Sequence, residues 1–185
     1  MIFPIIAFGD PVLKKRANEI QKDYPDLEKL IADMYETMYR SKGVGLAAPQ
    51  IGLSIRLFIT DGSPFEEEEV EDFREVFINP VIRGEEGTLW KFNEGCLSIP
   101  NIREDVQRKD TVHIEYYDEN WNFKERTFTG LAARIIQHEY DHLEGVLFTD
   151  RISPLRRRLL NNKLLDISKG NVDVDYRMKF PALKR

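Results

Sequence analysis

The chain has one cysteine and three histidines in 185 residues. A single cysteine excludes an internal disulfide and suits a reducing compartment. No apolar run approaches the ~20 residues that a bilayer-spanning helix needs. The opening stretch, Met1 to Asp10, lacks a basic segment and reaches Gly9-Asp10-Pro11 too soon for a secretory signal. These absences predict a cytoplasmic location and no membrane contact. Repeats and low-complexity linkers are absent too, so residues 1–185 read as a single domain, long enough to bury a sizeable core. Positive charge is in deficit: the net charge of −5 argues against a surface built for nucleic acid, and no specific DNA binding is expected. The deficit is uneven. Residues 154–185 carry nine Lys or Arg against three Asp, whereas Asp61 to Glu75 holds eight acidic residues and one Arg. The acidic run reads as a solvated loop.

Against that background, two of the three histidines fall in Gln137-His138-Glu139-Tyr140-Asp141-His142-Leu143-Glu144-Gly145. Residues four apart on an α-helix differ by about 40° around its axis, so the His138 and His142 imidazoles leave one face and can share a metal ion. Glu139 sits about 100° from His138, placed to act on a water at the metal. A catalytic metal of this kind usually takes three protein ligands and keeps one position open. A third histidine on the same segment is excluded, because Phe148 stands where it would be. A later glutamate is excluded as well: from Val146 to Arg185 there is neither Glu nor His, which leaves Asp150, Asp166, Asp173 and Asp175 as weaker candidates. Upstream, the lone cysteine lies in Glu94-Gly95-Cys96-Leu97-Ser98-Ile99-Pro100, where Gly95 allows a close approach by backbone or ligand. Cys96 is the expected third ligand.

Blander readings exist for each piece. His-Glu-x-x-His arises by chance on amphipathic helices, and a lone cysteine is commonly a small buried hydrophobe. What weighs against both is a third stretch, Gly43-Val44-Gly45-Leu46-Ala47-Ala48-Pro49-Gln50-Ile51-Gly52, whose glycines and small residues around one glutamine do not look like ordinary core. Two rivals remain at this level. Cys96 could be the nucleophile of a cysteine hydrolase, or Asp141 could close a purely structural metal site. Chelation separates the first and a Glu139 substitution the second.

The pattern of elements is mixed. Helical spacing runs from Asp23-Tyr24-Pro25-Asp26 to Arg40 through Leu27, Leu30, Ile31, Met34, Tyr35 and Met38, and stops at Gly43. Short strands are expected at Arg56–Thr60 and at Glu75–Asn79, the second ending before Pro80. Thr88 to Phe92 leads into the Cys96 segment. Val112, Ile114 and Tyr116 alternate, Asp118-Glu119-Asn120 turns, and Trp121 to Phe128 returns as the partner strand, which leaves His113 on the surface. Leu131 to Glu144 is the second helix, with Thr129 as N-cap and Gly145 at C′. Its stripe of Leu131, Ile135, His138 and His142 predicts buried ligands on the core-facing side. Ser153-Pro154 opens a third helix with Leu155, Leu159, Leu160, Leu164 and Ile167, ending at Gly170. Alternation from Val172 to Phe180 predicts an added strand or docked tail.

The three motifs, Gly43-Val44-Gly45-Leu46-Ala47-Ala48-Pro49-Gln50, Glu94-Gly95-Cys96-Leu97-Ser98 and Gln137 to Gly145, closely resemble those of the peptide deformylases, in that family's order, with the likeness reaching about Leu160. The resemblance implies an α+β fold in which small antiparallel sheets surround a central metal-binding helix, flanked by an N-terminal and a C-terminal helix. It implies an enzyme that removes the formyl group from the N-terminal formylmethionine of new polypeptides. By motif, Cys96, His138 and His142 hold the metal, Glu139 is the general acid/base, and Gln50 with the Leu97 backbone N–H binds the oxyanion. Val44, Gly45, Gly95 and Ile135 belong to the substrate site. Fe²⁺ is the implied ion, with Zn²⁺, Ni²⁺ or Co²⁺ able to substitute. Arg134 departs from the apolar residue relatives can carry there, and the tail beyond Gly170 from relatives that end in a helix. The basic stretch 154–185 is a candidate for transient contact with ribosomal RNA.

Overall fold

A computed structural model describes residues 1–181. Its main sheet is antiparallel, in the order β2-β3-β4-β5-β6: β2 is Gly45–Ala47, β3 Leu57–Asp61, β4 Arg74–Cys96, β5 Ile99–Tyr117 and β6 Phe123–Thr129. Three helices accompany it, α1 (Leu27–Arg40), α2 (Gly130–Leu143) and α3 (Pro154–Ser168). This is the expected α+β class, with one departure. The second sheet pairs β1 (Ile5–Ile6) with β7 (Met178–Lys179) in parallel, so the predicted docked tail returns to the N-terminus.

Alternation along the strands divides the core. Successive side chains of a strand face opposite sides of its sheet, so Leu57, Ile59, Val76 and Ile78 pack with α1 through Met34 and Met38. Their neighbours Phe58 and Phe77 face the other way, joining Tyr116, Phe128 and the α2 residues Ala133 and Ile136. The Phe58 and Phe77 rings stack at 4.5 Å. A third cluster lies under α3, where Leu160, Leu164 and Ile167 meet Ile6, Leu13 and Phe148. Leu155 and Leu159 on the same helix are exposed.

Two strand boundaries differ from expectation for one reason. Pro80 does not end a strand; β4 continues through it because Asn79 takes a positive φ of 48° and the register shifts between Ile78 and Val81. A bulge absorbs the missing N–H of proline without breaking the ladder beyond it. The strand at Glu75–Asn79 and the segment at Thr88–Phe92 are therefore one long arm of a hairpin. It ends at Cys96, paired with Ile99 across the two-residue connection Leu97-Ser98.

At the start of α2, Thr129 occupies the N-cap position but its side chain makes no capping bond. The orphan N–H of Leu131 is met by Glu69 Oε1 at 3.1 Å. Glu69 comes from the acidic run, which is thus partly structural: Glu66 to Glu69 are exposed, yet Asp61 and Val70 are buried. Replacing a helix cap by alanine typically costs 0.5–2 kcal/mol. For a cap on an exposed side chain, Glu69→Ala is expected to lower stability by roughly 0.5–1 kcal/mol, read from the denaturant midpoint of the metal-loaded protein. An unchanged midpoint would mean that water serves the helix end equally well.

At the other end Gly145 adopts φ 72° with its N–H bonded to His142 O, as its C′ position requires. Ser153 caps α3 by accepting from the Arg156 N–H at 3.2 Å. Two cations of the basic stretch are spent internally, Arg156 on Glu104 at 2.6 Å and Arg157 on Asp150 at 2.6 Å. Lys184 and Arg185 lie outside the described residues. No described helix is long and apolar enough to cross a membrane.

Candidate active site

α2 is covered on both sides. Ala132, Ala133, Ile136 and Leu143 pack into the sheet cluster, while the stripe carrying His138 and His142 turns toward the tip of the β4–β5 hairpin. The predicted burial of this stripe holds: His142 is 1% exposed and the His138 side chain 12%. Cys96 arrives from the hairpin tip. Its Sγ lies 3.4 Å from His142 Nε2, and the candidate ligand atoms of Cys96, His138 and His142 all fall within 4.8 Å of one another.

The imidazoles are set unequally. His138 Nδ1–H donates to Glu94 Oε1 at 2.8 Å, which leaves Nε2 free to face Cys96. Burial opposes charge on this ring, but the bonds to Cys96 and Glu94 raise its pKa well above the ordinary imidazole range. Burial and the neighbouring His138 push His142 well below that range, which keeps a lone pair available on its ring, and its Nδ1 is buried without a partner. Glu94 is itself clamped. Arg108 donates to both its oxygens at 2.8 and 3.0 Å, and Arg134 Nη1 to Oε2 at 2.8 Å. Burial alone would favour the neutral acid, but the His138 and Arg108 bonds hold this carboxyl well below the usual range.

Glu139 is in a different situation. It is 4% exposed, its Oε2 has no partner, and burial pushes its pKa up to about 7. Its carboxylate packs against Gly45, where an added Cβ would overlap Oε1. That contact explains the glycine in physical terms. On the opposite side, Gln50 Oε1 accepts from the Ala47 N–H at 3.0 Å, which aims Nε2 at Cys96 Sγ (3.4 Å) and Ser98 Oγ (3.3 Å). One cavity of about 730 Å³ is lined by Val44, Gly45, Gln50, Gly95, Cys96 and Leu97. Ile135, His138 and Glu139 line it as well. Gly95 approaches the Arg103 side chain, 2.7 Å from where a Cβ would stand, and not a neighbouring backbone.

Asp141 is not available to close a structural site, because it accepts from Arg108 at 2.8 Å and from Arg151 at 2.6 Å. Among the described residues, only Cys96, His138 and His142 form a metal-holding group. One thiol and two imidazoles, converging from two elements beside an open cavity, fit a transition metal or zinc with a free position. Reading the sequence missed three participants. Glu94 stands two residues before Cys96, and residues two apart on a strand share a face, a signal that ties it to the site. Ser98 lies in the Cys96 motif but its bond from Gln50 appears only in the fold, and Arg108 has no local signal.

A fold and site of this kind define a metal-dependent hydrolase. Comparison with known proteins supplies the family. Residues 2–158 match the family model described as polypeptide deformylase. A peptide deformylase of Christiangramia forsetii is 56% identical over 194 aligned positions, covering 100% of this chain and 99% of the relative. One from Cytophaga hutchinsonii is 53% identical with full coverage of both. The crystal structure of a peptide deformylase from Legionella pneumophila superposes with a TM-score of 0.81 at 38% identity, over 92% of this chain and 98% of that one. The chain belongs to the polypeptide deformylase family. It is a hydrolase that removes the formyl group from the N-terminal methionine of new peptides.

Proposed function

We propose that Cys96, His138 and His142 hold the enzyme's metal, Fe²⁺ in the cell with Zn²⁺, Ni²⁺ or Co²⁺ as working substitutes. The convergence of these three donors beside the partnerless Glu139 carboxylate carries the reading. A bound ion of this kind supplies Lewis acidity and makes water nucleophilic near neutral pH. Glu139 takes the proton of the attacking water. With its pKa pushed to about 7 by burial, it is matched to accepting a proton and then returning it to the departing amine nitrogen. Gln50 Nε2 and the Leu97 backbone N–H receive the formyl oxygen as it gains charge. Glu94 keeps His138 in one tautomer and orientation, a support typical of metal-ligating histidines.

Val44, Gly45, Gly95 and Ile135 bind the substrate, with the methionine side chain lying in the cavity they line. β2 is the edge strand of the sheet, so its unpaired backbone groups can take an extended peptide as an added strand. The whole chain, 1–185, serves as one deformylase domain and works in the cytoplasm, as its single cysteine suits. Arg158, Lys163 and Lys169 on and after α3 supply the charge for transient ribosome contact. Truncation after Ser153 should weaken ribosome co-sedimentation in a salt-dependent way.

The deciding experiment is anaerobic purification with metal analysis, followed by measurement of formate released from a formyl-methionyl peptide. Metal-loaded protein that released none would sink the reading, and full activity after chelation would favour Cys96 as a nucleophile. For the oxyanion role, Gln50→Ala is expected to lower kcat about a hundredfold, the low end for losing one of two donors, with metal content unchanged. A kcat within threefold of the parent would remove Gln50 from the chemistry.

A further inference from the structure

The segment between α3 and β7 has no assigned part in the reaction, yet Asp173, Val174, Asp175 and Tyr176 line the same cavity as Cys96 and Glu139. They are tied across it. Asn101 Nδ2, just beyond the hairpin tip, donates to Asp173 O at 3.1 Å. Lys42, just before the Gly43–Gly45 edge, pairs with Asp175 at 2.5 Å. Beyond them the chain is fixed to β1, with the Ile5 N–H bonded to Arg177 O at 2.8 Å and the Ala7 N–H to Lys179 O at 2.9 Å. Within this braced segment the half-buried Tyr176 packs against the α1 core, and its hydroxyl donates to Leu97 O at 2.8 Å.

Leu97 is half of the two-residue connection at the hairpin tip, outside the β4–β5 pairing, with the next carbonyl, Ser98 O, accepting from the Phe8 N–H at 2.9 Å. Its carbonyl and its amide are joined through one Cα, so a bond to the first restrains the second. We propose that Tyr176 is a positioning residue for deformylation: by holding the Leu97 carbonyl it keeps the Leu97 N–H aimed at the formyl oxygen, which makes the tail a working wall of the active site. This rests on the oxyanion role proposed above for Leu97. Hydrogen-bond donors stabilise developing charge only when they are held in place beforehand, and a tight turn has little of its own to hold it. Gln50 steadies the same connection from the other side through Ser98.

The test is Tyr176→Phe in the full-length, metal-loaded enzyme, assayed by formate release from a formyl-methionyl tripeptide. The ring packing is kept and one hydrogen bond is lost. The expected result is a kcat lowered about tenfold, with KM within twofold and with metal stoichiometry and melting temperature unchanged. A purely structural tyrosine would move the melting temperature and not kcat. If KM alone rose, the tail would be a substrate wall and the positioning role would be overturned; an unchanged kcat would overturn it too. Should Tyr176→Phe fold poorly, Lys42→Met loosens the same segment without touching the tyrosine, and a kcat loss in the same direction but smaller is required. Inactive parent enzyme would overturn both readings. An active parent with an impaired Gln50→Ala and an unimpaired Tyr176→Phe would overturn this one alone.

Discussion

Glu139→Gln is expected to lower turnover on the order of 10²–10⁴-fold, with one metal ion per chain still bound. The substitution is nearly isosteric, so the contact with Gly45 survives and the helix that carries both histidines is undisturbed. What is lost is the ability to gain and give up a proton. Of the carboxyl groups around the site, Glu94 is saturated by Arg108, Arg134 and His138, and Asp141 by Arg108 and Arg151. Glu139 alone among these three keeps a buried oxygen with no partner. Burial raises the Glu139 carboxyl toward neutrality, to about 7, against the pull of His138 and Arg108, whereas direct bonds from His138 and Arg108 hold Glu94 well below the usual range. The check is kcat against metal content on the same preparation. More than a tenth of parental turnover would show that the proton moves by another route. Loss of the metal together with activity would show a structural fault instead.

How much of this was legible in the sequence follows the distance over which each interaction acts. His138, Glu139 and His142 are set by helical periodicity over five residues, and their face and burial were readable directly. Cys96 was readable as the stronger candidate, because the chain has no other thiol and only aspartates as later alternatives. The paired strands around Asp118 were readable from alternation, whereas Pro80 misled because the bulge that accommodates it depends on Asn79 adopting a positive φ. Glu69, read as part of a solvated run, closes the start of α2 from 62 residues away. Tyr176 reaches Leu97 across 79 residues. Contacts at that range are fixed by the assembled core and carry no local pattern. Arg134 belongs with them. It lines the cavity, and its guanidinium stacks over Trp90 at 4.5 Å and bonds to Glu94 and to two backbone carbonyls.

Arg108→Met should cost the fold about 3 kcal/mol, the lower part of the range for removing one partner of a buried ion pair. Arg108 sits on β5 with 4% exposure and bridges Glu94 on β4 to Asp141 on α2, so it joins the hairpin that delivers Cys96 to the helix that delivers the histidines. Methionine fills similar volume without charge, so the cost comes from two buried carboxylates losing donors and not from a cavity. Arg134 and His138 still serve Glu94, and Arg151 still serves Asp141, which is why the upper end of the range is not reached. The damage should extend to the metal. A Glu94 freed on one side holds His138 less firmly, and disturbing such a support typically weakens metal binding by about 10–100-fold. Chemical denaturation of metal-loaded Arg108→Met, with a parallel chelator titration, reads both effects. A loss of stability without any change in metal affinity would mean that Glu94 keeps its grip on His138 through Arg134 alone. A loss below about 1 kcal/mol would show that this buried bridge contributes little beyond what a hydrophobic residue of the same size supplies.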